Sequence, residues 1–522
     1  MALLKKPSKT TKKSVADPSD AYHSLVSLWK KSRAVLQGQA NVKAHDEMLD
    51  KTYQNLLLPF SPSMSQQQYD FFRSEAELPG LTSQYARLLI SSLLRKQSQL
   101  ELPESLPLAE ETKDWIENNF TLDGRSLFNF MDQALWEELQ TSRAWVYVDH
   151  PKISDDDYDS MSFEERMMIN PYPVLIKAES VINYQTKVHP ITRQKTLTRF
   201  ITRYVEEDYS ESPWHPDYVD MVCDHYLDES GKLVLDYYRK KSSAENVDVL
   251  NGTISREYFE NINSGFEKID TVLPQIHGTR LNRIPAWALN GHVDAVEPIL
   301  MPLIDREIAL YNKVSRRNHL LYGAATYTPI VSSDMSDDEF EDIVNAGLGT
   351  WLRVRAGESI NVLETPTAAL SDMDRAIEAT IEEMSRMGIR MLSPEQAASG
   401  VALEIRNASQ TAQLGTLNAK VSQTMQQVIT FMLNWKYNTN YDGNDLIFSL
   451  SSDFSPMVGG EGNMRLVSEW YQSGLISRDT WINIAKFNDF LPADYDDETA
   501  VQAIMTDPLT QQTPDDSVQI EE

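Results

Sequence analysis

The alternation of hydrophobic and polar residues changes period along the chain and divides it into regions. Between residues 20 and 140, apolar residues recur at steps of three and four, which predicts amphipathic helices. From 172 to 285 the period shortens to about two, in runs rich in β-branched and aromatic residues, which predicts strands. Residues 229–231 are the predicted tip of a hairpin in this region. The pattern therefore predicts a mixed α+β chain.

The helical period returns from residue 286 and continues in three long segments. In the first, Pro298 and Pro302 delay the helix start or kink it, and Glu307 interrupts the apolar stripe. A small α/β insertion follows, with strands predicted at 324–331 and 351–364 and an acidic short helix between them. A second long helix, AALSDMDRAIEATIEEMSRMGIR, comes next. Two long helices thus flank a small α/β insertion.

The third long helix ends near Tyr437 and is unusually polar. It has about 35 residues and would be about 50 Å long if continuous. Asn, Ser, Gln and Thr dominate its first half, and its apolar stripe strengthens from Leu414 onward. A polar but nearly uncharged helix fits a close, hydrated contact between subunits or around a pore, and the alternative is a surface helix with a weak stripe. Near the C-terminus, Gly474 ends a predicted helix and Ser477 N-caps another.

Length and composition limit the class of protein. A chain of 522 residues is long enough for two or three packed units. The single cysteine, Cys223, excludes an intrachain disulfide framework and cysteine-based zinc sites, and it fits a reducing compartment. No apolar run is long enough to span a bilayer, and the N-terminal lysines lack a following apolar segment. We therefore expect a soluble intracellular protein without a membrane partner.

The formal net charge of −29 bears on nucleic-acid binding. Proteins that grip DNA by its phosphates usually carry a basic patch and a basic balance. Here the basic residues concentrate only in the N-terminal lysines and in KVSRRNH at 313–319. Repressors, nucleases and other tight DNA binders are therefore disfavoured. A channel through which DNA slides is compatible with this charge, because a strongly basic wall would hold the polymer still.

Enzymatic chemistry finds little support in the motifs. The chain contains no P-loop, no G-x-G-x-x-G after a strand, and no G-x-S-x-G or H-E-x-x-H. One run could suggest a metal centre or a Cys–His nucleophile: His215, Asp217, Asp220, Cys223, Asp224 and His225. Its spacing matches no zinc or Cys–His site, so we interpret it as a strand with scattered polar residues. We expect no enzyme activity, no metal and no cofactor, and an unrecognised hydrolase is the alternative.

Three phrases together resemble the portal proteins of tailed bacteriophages. IPAWALNGHVDAVEPILMPLIDREIALYNKVSRRN is similar to the start of that family's first stem helix, and AIEATIEEMSRMGIRMLSP to its second stem helix and tunnel loop. SEWYQSGLISRDTWINIAKFNDFLPADYD is similar to its crown. The resemblance covers residues 20–505 and depends on the order of the segments. It implies an α+β, portal-type ring subunit with long stem and wing helices, a small α/β clip and a mixed β-rich wing.

The resemblance also implies a domain order and an assembly. The segments are a disordered basic arm (1–19), wing (20–290), first stem helix (291–320), clip (321–366), second stem helix (367–390), tunnel loop (391–401), wing helix and strand (402–456), crown (457–507) and disordered acidic tail (508–522).

Copies would form a homo-oligomeric ring, a dodecamer, at one capsid vertex of the virion, after assembly in the host cytoplasm. The implied function is DNA packaging, genome retention and ejection, and head–tail joining. The implied partners are the large terminase subunit, head-completion or adaptor proteins, major capsid and scaffolding proteins, and double-stranded DNA passing through without sequence recognition. Another phage structural protein, such as a capsid or scaffolding subunit, is the alternative within the same class.

Three sets of residues are candidates for contacts in such a particle. The tunnel-loop set, placed near DNA, is Arg390, Ser393, Gln396 and Ser399; the alternative is a helix–helix turn in which Ser393 is an N-cap. The stem basic cluster is Lys313, Arg316, Arg317 and His319, which would contact DNA or a motor subunit, or else compensate the dipole at a helix C-terminus. The clip set, for terminase or adaptor docking, is Asp334, Asp337, Asp338, Glu339, Glu341, Asp342, Trp351, Arg353 and Arg355, with an acidic solvated face as its alternative. We further expect the clip strands to pair with those of a neighbouring subunit.

Overall fold

The computed structural model divides the chain into two compact units, Met1–Asp453 and Phe454–Glu522. It describes residues 14–48, 57–59, 65–151, 160–162, 169–188, 190–191, 193, 195–210, 212–240, 247–248, 253–254, 265–276, 279–325, 328–332, 336, 359–363, 367–387, 400–443, 445–451, 468–473, 475 and 477–487. Helices and strands are both abundant in the described part of the chain, as expected for an α+β protein.

The helices and strands alternate in blocks along the chain. The helices are α1 (Asp20–Gln37), α2 (Gln39–Met48), α3 (Gln66–Glu75), α4 (Leu81–Leu93), α5 (Ala109–Asn118), α6 (Leu127–Thr141), α7 (Met301–Ala325), α8 (Thr367–Arg386), α9 (Gly400–Tyr437) and α10 (Arg478–Phe487). The strands are β1 (Gln99–Glu101), β2 (Trp145–Asp149), β3 (Tyr172–Ile176), β4 (Val181–Val188), β5 (Lys195–Asp208), β6 (Asp217–Leu227), β7 (Leu233–Lys240), β8 (Val247–Asp248), β9 (Thr253–Ile254), β10 (Phe266–Val272), β11 (Gln275–Ile276), β12 (Thr279–Arg280), β13 (Ala286–Ala288), β14 (Thr328–Ser332), β15 (Ser359–Leu363) and β16 (Ile447–Ser449).

The first helix shows how local sequence sets the ends of an element. The Ser19 side chain accepts a hydrogen bond from the Tyr22 N–H at 3.2 Å, which satisfies one of the unpaired donors of the first turn of α1. The helix stops before Gly38, whose φ of 101° is unfavourable for other residues. The predicted amphipathic helix in this region is confirmed.

An antiparallel sheet of five strands, in the order β10-β7-β6-β5-β4, forms the centre of the β-rich region. Helix α1 packs on one face, where Tyr22 and Trp29 meet Ile201 and Val222 in one core cluster. On the opposite face Phe200 lies 5.0 Å, ring to ring, from Trp145, which belongs to a second sheet of order β13-β2-β3. The sheet is therefore covered on both faces, and the predicted β-rich region is confirmed.

The predicted hairpin is also present, as β6 and β7. The Asp228 carboxylate accepts hydrogen bonds from the Ser230 and Lys232 N–H groups, both at 2.9 Å, and so holds the turn. Gly231 adopts a φ of 73°, the left-handed conformation that such a turn requires.

Helix α9 has a broad buried face from Leu414 to Trp435 and a narrow exposed stripe that includes Gln423 and Gln427. Two polar residues of its buried face bind the chain's own backbone. Asn418 donates to the Ser451 carbonyl at 2.7 Å, and the Ser422 hydroxyl accepts from the Leu450 N–H at 3.0 Å. The buried residues from Leu414 onward agree with the apolar stripe expected there, and these two polar side chains satisfy buried backbone groups. The choice between an intersubunit or pore helix and a weak-stripe surface helix concerns the earlier half and stays open. The side chains of the earlier, more polar half lie outside the described residues.

The second compact unit contains a short helical pair. Residues 468–472 are helical, and α10 follows with Ser477 as its N-cap, accepting from the Thr480 N–H at 3.1 Å. The Trp481 indole N–H donates to the Ser468 hydroxyl at 3.2 Å, which joins the two helices. The predicted cap at Ser477 is confirmed, and Gly474 lies outside the described residues. In the part of the chain that the structure describes, none of the helices combines the length and apolar character needed to cross a bilayer.

Candidate functional site

The candidate site is a pair of long helices, α7 and α8, with two paired strands lying between them in the sequence. Met301 begins α7, and its N–H donates to the Pro298 carbonyl at 3.0 Å. The delayed helix start that the two prolines predict is confirmed, because a proline lacks the N–H that an earlier turn would need. The first part of α7 is core: Leu303, Ile304 and Leu310 are buried.

Polar contacts between α7 and α8 show how the two helices are oriented relative to each other. Arg306 meets Glu383 at 3.1 Å, Lys313 donates to the Thr380 hydroxyl at 2.5 Å, and Arg317 meets Asp374 at 2.7 Å. Along this series of contacts the residue numbers increase on α7 and decrease on α8, so the two helices are antiparallel. Half-exposed ion pairs of this kind each contribute at most about 1 kcal/mol. Their main effect is therefore on helix register.

The stem basic cluster is mostly engaged within the chain. Lys313 and Arg317 bind α8, while the His319 ring lies edge-on to Phe72 of α3, with 5.2 Å between ring centroids. Only Arg316 among the four cluster residues is exposed. Helix α7 continues to Ala325 without a basic residue in its last turn, so compensation of its C-terminal dipole by this cluster is wrong. Contact with DNA or a motor subunit stays a prediction, and Arg316 is the member available for it.

Glu307 explains the interruption in the apolar stripe of α7. Its carboxylate is fully buried and accepts hydrogen bonds from the Gly80 N–H at 2.7 Å, the Thr82 N–H at 3.0 Å and the Thr82 hydroxyl at 3.1 Å. The Leu81 N–H adds a longer bond at 3.3 Å. These groups form the N-terminus of α4, where Gly80 offers no side-chain cap of its own. A residue of α7 therefore caps α4 and fastens the helix pair to the N-terminal helices.

The insertion strands pair with each other within one chain. Strand β14 is antiparallel to β15, from Thr328 opposite Leu363 to Ser332 opposite Ser359. The strand expected at 324–331 begins later, because α7 extends through Ala325, past the predicted stem boundary at 320. Within the described residues, this pairing occupies one edge of each strand, and residues 351–358 of the second predicted strand lie outside them. Pairing of the clip strands with those of a neighbouring subunit stays a prediction.

Two of the predicted residue sets fall on segments without a structural description. The tunnel-loop residues Arg390, Ser393, Gln396 and Ser399 and the clip residues Asp334, Asp337, Asp338, Glu339, Glu341, Asp342, Trp351, Arg353 and Arg355 lie outside the described residues. The bounds of the loop are corrected at its end, since α9 already begins at Gly400. Helix α8 ends at Arg386, earlier than the predicted boundary at 390.

The histidine- and aspartate-rich run of β6 is part of the core of the sheet. Asp220 pairs with Arg203 at 2.6 Å, with both side chains fully buried, and Asp224 pairs with Arg199 at 2.5 Å. Cys223 and His225 lie on the same face because they are two residues apart, and the sulfur is 3.7 Å from the His225 Nε2. Burial lowers the pKa of His225 to about 4, so its ring is neutral near pH 7.

This geometry gives the run a packing role. Cys223 and His225 are both buried, and the His225 Nδ1 lies 2.9 Å from the Phe200 carbonyl oxygen. Within the described ranges, no group of three or more His, Cys, Asp or Glu side chains is arranged to hold a metal ion. Asp220 and Asp224, two of the carboxylates that could have been ligands, are paired with arginines.

One family model matches the region of the helix pair. It is described as "Domain of unknown function (DUF4055)" and matches residues 299–436, which begin just before α7 and end one residue before the end of α9. This match covers the helix pair, the insertion and the long helix α9. No curated protein matches the chain.

Several solved structures of gene transfer agent (GTA) particles contain similar chains. A chain in the neck of an empty particle, computed with C6 symmetry, is 10% identical with a TM-score of 0.37; the alignment covers 76% of this chain and 86% of that one. A chain in the virion of the native particle is 10% identical with a TM-score of 0.36, over 79% and 90% of the two chains. A chain in the native neck, computed with C12 symmetry, is 9% identical with a TM-score of 0.33, over 81% and 94%. At these identities and scores the likeness decides neither family nor function.

Proposed function

We propose that this protein is a structural subunit of a phage-type particle, and specifically a portal-type subunit that forms a ring channel for DNA. The observation that carries the proposal is the antiparallel helix pair α7–α8 with its paired strands β14–β15, followed by the long helix α9. This is the order stem, clip, stem and wing helix that the sequence resemblance implies. The proposed activity is structural, without catalysis or cofactor.

The shape of the helix pair supports an assembly role. With 25 residues, α7 is about 37 Å long. Its first turns are buried, whereas Leu321 and Tyr322 near its far end are 44% and 48% exposed. Ile381 of α8 and Met387, which directly follows α8, are also exposed. Several exposed apolar side chains on one pair of helices are typical of a surface that a partner covers, and in the proposed ring the partner is a second copy.

The electrostatics support passage of DNA in preference to capture. The net charge is −29, and of the four stem-cluster residues only Arg316 remains exposed. A channel wall with few free cations releases few counterions from DNA and so holds it weakly. Genome packaging by a terminase, retention and ejection, and joining to head-completion and capsid proteins belong to this proposal as well.

Electron microscopy of the purified chain tests the proposal directly. We expect end-on class averages with a central hole and about twelvefold symmetry. The variant Leu321→Glu should abolish the rings and leave the circular dichroism spectrum unchanged, because it charges a surface that a neighbour covers. Phe128→Glu, which alters an exposed apolar residue of α6, is the matched control and should assemble normally.

Other outcomes separate the alternatives. Monomers of the wild-type chain at every salt and protein concentration would refute the ring. Closed shells or filaments would favour another structural protein of the particle. A stoichiometric zinc content would favour a hydrolase.

A further inference from the structure

A cavity of about 520 Å3 lies apart from the helix pair, between the start of β5, the segment around β13 and helix α9. Its lining contains two cationic residues, two side-chain amides and two threonine hydroxyls, and no aspartate or glutamate. The lining residues that matter for binding are Lys195, Arg283, Trp287, Gln423 and Gln427. In a chain with 77 acidic and 48 basic residues, a recess of this composition is selective for anions.

Arg283 is the central group of this cavity. Its guanidinium carbon lies 4.7 Å from the centroid of the Trp287 ring and 5.5 Å from that of Phe431, so two aromatic faces hold it. Among the described residues, no carboxylate pairs with it and no hydrogen bond reaches it. Arg33 and Arg203, by contrast, each bind carboxylates.

The pKa of Arg283 is consistent with the absence of a carboxylate partner among the described residues. Desolvation lowers its pKa, and no nearby carboxylate raises it again. Arg283 is exposed, so an external anion can reach its guanidinium. A guanidinium that two aromatic rings hold in place and that has no carboxylate partner is free to pair with such an anion.

The surrounding groups complete a receptor for a planar oxyanion. Gln423 and Gln427 are exposed and one turn apart on α9, and each carries an amide that can donate. Lys195 already pairs with Asp294 at 2.6 Å and therefore adds little free charge. A guanidinium with its edge free can bind a carboxylate through two parallel hydrogen bonds.

We propose that this cavity, the Arg283 pocket, binds the carboxylate of an acidic side chain from a second copy of this chain. The inference rests on the proposed ring, in which like-charged copies must meet. Cation–carboxylate contacts between subunits offset part of that repulsion and select the register of assembly. DNA phosphate is a weaker candidate, because a single unpaired cation releases few counterions and the overall field repels a polyanion.

Two measurements on the full-length chain test the Arg283 pocket. The first follows the Arg283 side-chain Nε–Hε resonance during titration with glutarate, a dicarboxylate that mimics a glutamate side chain. We expect a saturable shift. The second compares ring assembly of wild type and Arg283→Met, which keeps the apolar stem on the two rings and removes the charge. We expect the concentration for half-assembly to rise about tenfold or more. Arg125→Met, at an exposed arginine paired with Asp123 at 2.5 Å, should assemble normally.

The outcomes distinguish this inference from the proposed function. Equal assembly of Arg283→Met and wild type, without a glutarate shift, would overturn the carboxylate pocket. Unchanged assembly with lost binding to a labelled DNA duplex would assign the site to phosphate and overturn it as well. A glutarate shift in a wild-type chain that forms no rings would overturn the ring and the second copy as occupant, and would leave only a carboxylate-binding cavity. A glutarate shift with equal assembly of Arg283→Met and wild type would likewise overturn the second copy as occupant.

Discussion

The buried carboxylate of Glu307 should be worth several kcal/mol to the fold. It receives N–H groups from Gly80, Leu81 and Thr82 and the Thr82 hydroxyl, at 2.7–3.3 Å. Glutamine has the same shape but replaces one accepting oxygen with a donor. In Glu307→Gln at least one donor of the α4 N-terminus therefore faces another donor.

The magnitude follows from the contacts. A hydrogen bond to a charged group stabilises by about 1.5–3 kcal/mol, and an anion at a helix N-terminus by up to about 2 kcal/mol in buried geometries. Some of this remains with the retained oxygen, so we expect Glu307→Gln to lower the free energy of unfolding by about 2–4 kcal/mol. The matched control, Glu383→Gln, removes the half-exposed partner of Arg306 and should cost less than about 1 kcal/mol.

Urea denaturation followed by circular dichroism measures the change in the free energy of unfolding. Hydrogen exchange gives the local evidence, since the amides of Gly80, Leu81 and Thr82 should lose protection in Glu307→Gln before those at the centre of α4. A variant as stable as Glu383→Gln, with unchanged protection of these amides, would refute the capping role.

Three further predictions concern buried ionisable groups. Burial raises the pKa of Glu138 to about 8, so the free energy of unfolding of the wild type falls as pH rises from about 4.5 to about 8. Glu138→Gln removes this pH dependence. By urea denaturation, its free energy of unfolding should exceed that of the wild type by up to about 5 kcal/mol between pH 5 and 9. Because the pKa of His225 is lowered to about 4, the free energy of unfolding should fall by up to about 3 kcal/mol as pH decreases from about 6.5 to 4. In the same assay, His225→Phe should remove this pH dependence and should be less stable than the wild type at pH 8. Arg33→Met leaves the buried carboxylates of Glu137 and Glu179 without their cation and should lower the free energy of unfolding by about 3–5 kcal/mol near pH 7; a loss below 1 kcal/mol would contradict the pairing.

The elements that depend on local sequence were predictable. Apolar periodicity identified the helices around Leu25 and the β-rich region, because each periodic pattern matches the geometry of one element. Pro298 and Pro302 predicted the late start of α7, and Ser477 predicted the cap of α10, since both effects act within one helical turn. The hairpin between β6 and β7 followed from its turn residues for the same reason.

The tertiary structure decided the role of each polar residue within those elements. Glu307 was visible in the sequence only as an interruption, because its partners lie 225 to 227 positions away. In the second half of α9 the sequence predicted an apolar stripe, and the structure adds that Asn418 and Ser422 bind the backbone of residues 450–451. Nothing in the sequence distinguished Arg283 from other arginines, because the absence of a carboxylate partner can be recognised only when its neighbours in space are known. The periodicity of apolar residues indicates which face of a helix or strand is buried. It does not indicate which residues cover that face, because those residues can lie at any distance along the chain.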